Sequence, residues 1–312
     1  MPLSAGAASG LALGDLGQPF SLPKGIPVEW KAATNALPPK VAIYKTIPHP
    51  FSPAVVGSVM ALGGWTMQQR TNVPGRARVA GDKDLLHFEN ADGIGYLSIY
   101  PPSGIITYLN EKARTSGTGY PKGVPDEEET LRLGREFLKK LEISERDLVK
   151  KANGALHVYR GRQTQGRHGV EEVISRDVYF IRQVDGIPFN GIGSYGGVEL
   201  SLGDNGKVAE LRVVWPGLKP MELLPVATAK EIMDSLKNGR AVIAAGETTD
   251  VILGTMKELT KITVNKVIPV YSGSSMHEPK EIIHPFASLE ITAHFAKTNY
   301  TAVLNCPLVI GK

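Results

Sequence analysis

Between Arg176 and Pro220 apolar and polar residues alternate in short runs rich in β-branched and aromatic side chains. That period of two predicts strands with one wet and one buried face. Asp185-Gly186 and Asn205-Gly206 interrupt the runs, and both dipeptides accept the positive φ angles of a tight hairpin turn. The same pattern stands earlier in DLLHFENADGIGYLSIYPPSGIITYL, where Asp92-Gly93 and Pro101-Pro-Ser-Gly104 separate three shorter strands. One sheet-building unit is thus used more than once.

A period of 3.6 marks the helices. Ser52 is placed to cap a short helix reaching to about Trp65, with Pro53 in the first helical position, where a missing amide proton costs nothing. Asp126 caps DEEETLRLGREFLKKLEI, whose Leu131, Leu138 and Leu141 share a face. Acidic residues open that helix and Lys139 and Lys140 close it, as the helix dipole favours. SERDLVKKA predicts a second short helix, and ALHVYRGRQ a strand. Thr228-Ala-Lys-Glu231 has the spacing of a capping box, and Gly239 stops the helix it opens. Three long strands follow in KITVNKVIPVYSG, IIHPFASLEITAHF and NYTAVLNCPLV. In the middle one Ala287, Leu289, Ile291, Ala293 and Phe295 point one way, and Ser288, Glu290, Thr292 and His294 the other.

The expected fold class is α+β: helices, each packed on a curled antiparallel sheet. The expected division is an extended arm over 1–40, then units over 41–118, 119–225 and 226–312. The prolines Pro19, Pro23, Pro27, Pro38 and Pro39 disfavour both helix and ladder in the arm, and Trp30 is placed to pin it.

Composition narrows the classes. At 312 residues, 42% hydrophobic and 21% charged, the chain has material for two or three compact domains. No apolar run approaches the roughly 18 residues of a membrane span. A net charge of +4, spread along the chain, is too weak to imply nucleic acid. Cys306 is alone and its apolar flanks suggest a buried thiol.

Several apparent motifs fail on context. Gly191-Ile-Gly-Ser-Tyr-Gly196 fits G-x-G-x-x-G but leads into the strand VELSL, whereas a dinucleotide site needs a helix there. His277-Glu278 is followed by Pro279, which forbids the helix of H-E-x-x-H. His284, Glu290 and His294 share parity on one predicted strand, but at ~3.3 Å per residue His284 and His294 would stand roughly 33 Å apart. No cofactor or metal ion is expected, and no catalytic residue is assigned. Most carboxylates sit in helix first turns or near hairpins, so no acid–base pair stands out.

The turns carry a resemblance. Asp185-Gly186-Ile187-Pro188, the Asn205-Gly206 hairpin and Pro269-Val270-Tyr271 resemble the cystatin-like modules of PepSY and YycI/YycH-type proteins over roughly residues 126–309. The resemblance implies tandem cystatin-like units that are extracytoplasmic, with any signal segment removed or truncated. It implies non-enzymatic modules that bind and restrain a protease or a sensor protein. Neither an N-terminal anchor nor a following protease domain is read in this sequence.

Three functional classes remain open. The leading one is a module that binds another protein (a protease, a sensor or its own subunit) through a sheet face or edge, with His284, Glu290, His294, Arg182 and Trp215 as the candidate binding face. Arg160, Arg162, Arg167 and His168, with Lys139, Lys140, Lys150 and Lys151, could meet an anionic envelope polymer. The second is a hydrolase with a site assembled between units from His284, Glu290, Arg182 and His157. The third is a filament subunit whose arm inserts into a neighbour by strand addition.

Overall fold

A computed structural model of the chain describes residues 18–33, 35, 37–70, 85–91, 93–115, 119–167, 170–191, 194–244, 248–271 and 281–309. The arm contributes β1 (Gln18–Phe20) and β2 (Val28–Trp30), followed by β3 (Lys40–Ile47), α1 (Pro53–Met60), β4 (Leu86–Glu89), β5 (Gly95–Tyr100) and β6 (Ile105–Asn110). Next come α2 (Glu127–Lys140), β7 (Val158–Arg167), β8 (Val170–Ile181) and four two-residue strands, β9 (Gln183–Val184), β10 (Ile187–Pro188), β11 (Asn190–Gly191) and β12 (Ser194–Tyr195). After β13 (Gly197–Leu202), β14 (Val208–Val214) and β15 (Gly217–Pro225) stand α3 (Ala229–Lys237), β16 (Ala241–Ile243) and α4 (Thr249–Gly254). The chain ends with β17 (Leu259–Tyr271), β18 (Ile282–Ile283), β19 (Pro285–Phe295) and β20 (Asn299–Pro307).

Three larger sheets and two two-stranded ones, β9-β10 and β11-β12, organise these elements, and the fold is mixed helix and antiparallel sheet. The first has seven strands in the order β4-β5-β6-β14-β13-β8-β7. Stretches 41–118 and 119–225 both build it, because β14 pairs with β6 with Val213 opposite Ile106. One apolar core from Val55 and Val59 to Val213 and Trp215 lies under α1 and α2. The second sheet runs β1-β16-β20-β19-β17-β2. Here the arm meets the C-terminal strands: β1 lies antiparallel to β16 at one edge and β2 parallel to β17 at the other. Between them the arm buries Phe20 and Leu22 in the core that α3 closes, and the Trp30 indole Nε1 donates to Ala32 O at 2.8 Å. The third sheet, β15-β3-β18, is small and bridges the other two.

Local chemistry accounts for the helix ends. Ser52 Oγ accepts from Val55 N at 3.2 Å, and α1 stops at Met60, short of the expected Trp65, because the next turns run into Gly63 and Gly64, the latter at φ +69°. Asp126 Oδ1 accepts from Glu129 N at 2.8 Å and starts α2, which buries Gly134, Phe137 and Leu138. The Thr228–Glu231 capping box opens α3, and Gly239 follows it at φ +69°. SERDLVKKA is a correction: only Glu145–Asp147 turn, as a 3-10 helix. The residues after it are drawn out along the first sheet, Val149 N donating to Ile181 O at 2.9 Å and Leu148 bridging Arg182. A free ladder edge outcompetes one further turn of a marginal helix.

The turns divide. Asp185 and Gly186 take φ of 52° and 76° and join β9 directly to β10, as the dipeptide predicts. Asn205 and Gly206 also take positive φ, 53° and 69°, yet the connection is a longer 3-10 turn closed by Gly203 N donating to Lys207 O at 2.8 Å. The Asp204 carboxylate accepts from Lys122 N at 3.0 Å, and Gly203 lies so close to Ala113 O that a Cβ would stand 1.9 Å from it. Tertiary contacts therefore set that loop.

β19 alternates as expected, with Ala287, Leu289, Ile291, Ala293 and Phe295 buried and Glu290 exposed. Ser288 departs by being buried, beside a second small cluster of Val242, Val270 and Phe286. His284 is a further correction. Ile282 and Ile283 pair with β3 instead, so His284 sits at the corner between two sheets, off the ladder that carries Glu290 and His294. Asp92, Ile192, Gly193, His168 and the His277-Glu278-Pro279 stretch lie outside the described residues.

Candidate functional site

The bridging sheet is unlike the other two. Its strand β15 pairs only with β3 among the described residues, and its side chains from Lys219 to Leu223 are all exposed. Pro220 and Pro225 lack ladder donors, which suits an edge strand. Met221 is the extra residue of a bulge, where pairing jumps from Pro220–Tyr44 to Glu222–Ile43. Met221 and Leu223 are 56% and 59% exposed, and Ile47 and Ile282 on β3 and β18 are 39% and 37% exposed. Half of the large apolar side chains exposed among the described residues thus belong to this one small sheet. Lys45 lies between Lys219 and Ile282 in register and pairs with Glu281 at 3.1 Å. The surface is apolar with a charged margin in which Lys45 and Lys219 stand beside Glu281 and Glu222.

The inner side of the same sheet is fastened to both neighbours. Tyr44 on β3 donates its hydroxyl to Asp185 Oδ2 at the β9–β10 turn. Its ring meets Tyr271 of β17 edge-on, with centroids 5.5 Å apart, and the Tyr271 hydroxyl donates to Ala42 O at 2.9 Å. Tyr271 also packs on Phe189, at 5.4 Å. Burial first, and the Asp185 carboxylate second, push both phenols well above the ordinary tyrosine range.

Arg182 and Trp215 meet at this junction. The guanidinium lies over the Trp215 ring at 4.5 Å and near the Phe189 ring at 5.5 Å, and its Nη1 donates to Pro216 O at 2.7 Å, holding the residue that precedes β15. Burial lowers its pKa to about 10, with Asp147 acting the other way. His49 is held below the ordinary imidazole value, by burial and then by Arg182.

The other sequence candidates lie elsewhere. Glu290 pairs with Lys266 at 2.8 Å on the wet face of the six-stranded sheet, beside a groove of about 460 Å³ lined by Ala244, Thr248, Asn265 and Thr301. His294 Nε2 contacts Thr263 Oγ1 at 2.9 Å and its Nδ1 contacts Asn299 Oδ1 at 3.0 Å. His157 stands edge-on to Tyr159 at 4.9 Å beside β7. Arg182 follows β8 and His157 precedes β7, whereas His284 precedes β19 and Glu290 lies within it. Arg160 is engaged with Glu127 at 3.1 Å. Among the described residues no group of three His, Cys, Asp or Glu side chains is arranged to hold a metal ion. Cys306 is buried, which pushes its thiol up to about 12.

One cluster escaped the sequence. On the polar face of the seven-stranded sheet Arg212 stands 3.6 Å from Glu199 and 3.8 Å from Glu210, and Arg114 bonds Glu210 at 2.9 Å and Glu111 at 2.7 Å. Burial raises the Glu199 pKa, Arg212 opposes it, and Glu210 and Asp177 add to the rise. These carboxylates come from three strands that the sequence separates, and only their shared parity along each strand marks them.

No family model matches the chain, and no curated protein matches it. Nine chains of solved structures do. One is an uncharacterized protein from Eubacterium rectale ATCC 33656, 11% identical, matched over 91% of this chain and 90% of its own length with a TM-score of 0.48. No helix of the described residues is long and apolar enough to cross a membrane.

Proposed function

We propose that the chain is a non-enzymatic, extracytoplasmic module that binds another protein through the bridging sheet. The observation that carries this reading is β15 itself, an open strand edge with Met221 and Leu223 exposed on it, in a small sheet that also exposes Ile47 and Ile282. Exposed apolar side chains gathered in one place mark protein interfaces more than scattered ones do, and an open edge can receive an extended segment by strand addition. Around them Lys45 and Lys219 are balanced by Glu281 and Glu222, so the apolar side chains are the anchors for a partner. The finer architecture belongs to the same proposal: α2 on the seven-stranded sheet and α3 against β20 are the helix-on-sheet units of a tandem cystatin-like protein, in keeping with the PepSY and YycI-type turns and the extracytoplasmic setting they imply.

The test compares capture of partners from envelope extract by the native chain and by a Met221→Glu/Leu223→Glu variant that keeps its circular dichroism spectrum. Loss of a dominant partner in the variant is the expected result. Equal capture by both chains overturns the proposal.

A further inference from the structure

A second site lies on the seven-stranded sheet and does not depend on the bridging sheet. In the β7–β8 ladder Tyr159 is paired with Tyr179, and Gly161 with Asp177. In the β8–β13 ladder Tyr179 is paired with Glu199, and Asp177 with Ser201. Directly paired residues of antiparallel strands share a face, so these six positions form two adjoining rows on one side of the sheet. Tyr159 and Tyr179 stack with centroids 6.4 Å apart, and Tyr159 is half exposed. Gly161 has no side chain, which leaves a notch beside Tyr159. The Asp177 carboxylate leans over it, with Oδ2 3.2 Å from where a Cβ would stand.

Two polar atoms beside the notch lack hydrogen-bond partners among the described residues. Ser201 is 3% exposed and its Oγ has no hydrogen-bond partner. Its register sets it between Asp177 and Glu210 on this same face. Asp177 Oδ1 is also buried without a partner. A buried hydroxyl and a buried carboxylate oxygen left unmatched cost free energy that an incoming donor recovers. On this face, among the described residues, Glu199, Glu210 and Asp177 stand against Arg212 and against Arg114, which Glu111 shares, while the neighbouring Arg160 and Arg176 are turned to Glu127. The excess charge is negative. Planar aromatic rings beside carboxylates select a flat, multidentate cation over a point charge, because a guanidinium stacks and donates several N–H groups in one plane.

We infer that the notch formed by Tyr159, Gly161, Asp177 and Ser201 binds the guanidinium group of an arginine side chain presented by a peptide segment. The planar face of the guanidinium stacks on the Tyr159 phenol, two N–H groups reach Asp177, and the outer margin faces Glu199.

The probe is the peptide acetyl-Gly-Arg-Gly-amide, titrated into the full chain and followed by backbone amide shifts. The expected result is saturable binding with the largest shifts at residues 159–161 and 177. Affinity falls at least about tenfold in Asp177→Asn, from loss of the charge-assisted bonds, and the lysine peptide binds more weakly. Gly161→Ala, which fills the notch and presses on the Asp177 carboxylate without removing any charge, also weakens binding, whereas Glu290→Gln on the other sheet does not. Absence of saturable shifts at these residues, equal binding by the Asp177→Asn chain, or a lysine peptide that binds as tightly would overturn the inference.

Discussion

The Arg182 guanidinium lies over the Trp215 ring at 4.5 Å while its Nη1 donates to Pro216 O at 2.7 Å. One side chain thus ties the end of β8 to the start of β15. Arg182→Met keeps much of the stem's packing but loses the carbonyl bond and the cation–ring attraction, worth together about 2–4 kcal/mol. Urea unfolding of the two chains measures it. The same change removes the positive charge beside His49. A group whose folded pKa is depressed contributes stability above the unfolded value, near 6.5, that is lost as pH falls. Arg182→Met therefore moves the His49 titration upward toward 6.5, as an imidazole NMR titration would record, and makes stability less sensitive to acid between pH 7 and 5, a window set by that value of 6.5.

Alkali acts through the phenols. Tyr44 and Tyr271 have pKa values raised by burial and by Asp185. A raised folded pKa keeps its full stabilisation below the unfolded value, near 10, and loses it as pH climbs beyond. Stability is expected to fall above pH ~10 by up to about 1.4 kcal/mol per pH unit for each such tyrosine. The check is the urea midpoint at pH 8.5 and 11, in the native chain and in Tyr44→Phe. The variant starts about 1–3 kcal/mol less stable, from loss of the bond to the Asp185 carboxylate, and shows a shallower alkaline decline.

Gly134 is a helix-interior glycine that alanine will not improve. A Cβ there would stand 2.9 Å from Val178 Cγ1 and 3.1 Å from two ring carbons of Phe180. The gain of ~1 kcal/mol in helix propensity is outweighed by overpacking of about 1–3 kcal/mol. Thermal unfolding of Gly134→Ala should show a lowered midpoint.

The arm is structural. Phe20 is fully buried, and β1 and β2 cover both edges of the six-stranded sheet. Phe20→Ala should cost about 3–5 kcal/mol and release β1 from β16. Amide exchange at Ala241–Ile243 should accelerate in that variant, and a concentration-dependent rise in mass by light scattering should accompany the freed edge.

Strands and caps were legible wherever one short-range rule governs. Ser52, Asp126 and Thr228 cap as their spacing predicts, Asp185-Gly186 turns as its φ preferences require, and Phe295 to Ala287 alternate inward. What failed was set from afar. Asp204 is engaged by Lys122, so the Asn205-Gly206 turn lengthens. Ile282 and Ile283 leave for β3 and strand His284 at a corner. Of the candidate binding face, Arg182 and Trp215 meet, while Glu290 and His294 lie on another sheet. The exposed surface of β15 was hidden because Met221 and Leu223 look like core residues until a bulge and an open edge place them outside. The Asp177–Glu199–Glu210 cluster needed the register of three strands.

The most direct test of binding through the bridging sheet is amide hydrogen exchange of the chain alone and with its captured partner bound. The account predicts new protection concentrated at Gly217–Pro225, because an added strand would take up the outward ladder groups of β15. Protection that appears elsewhere while Gly217–Pro225 exchanges as fast as in the free chain would contradict it.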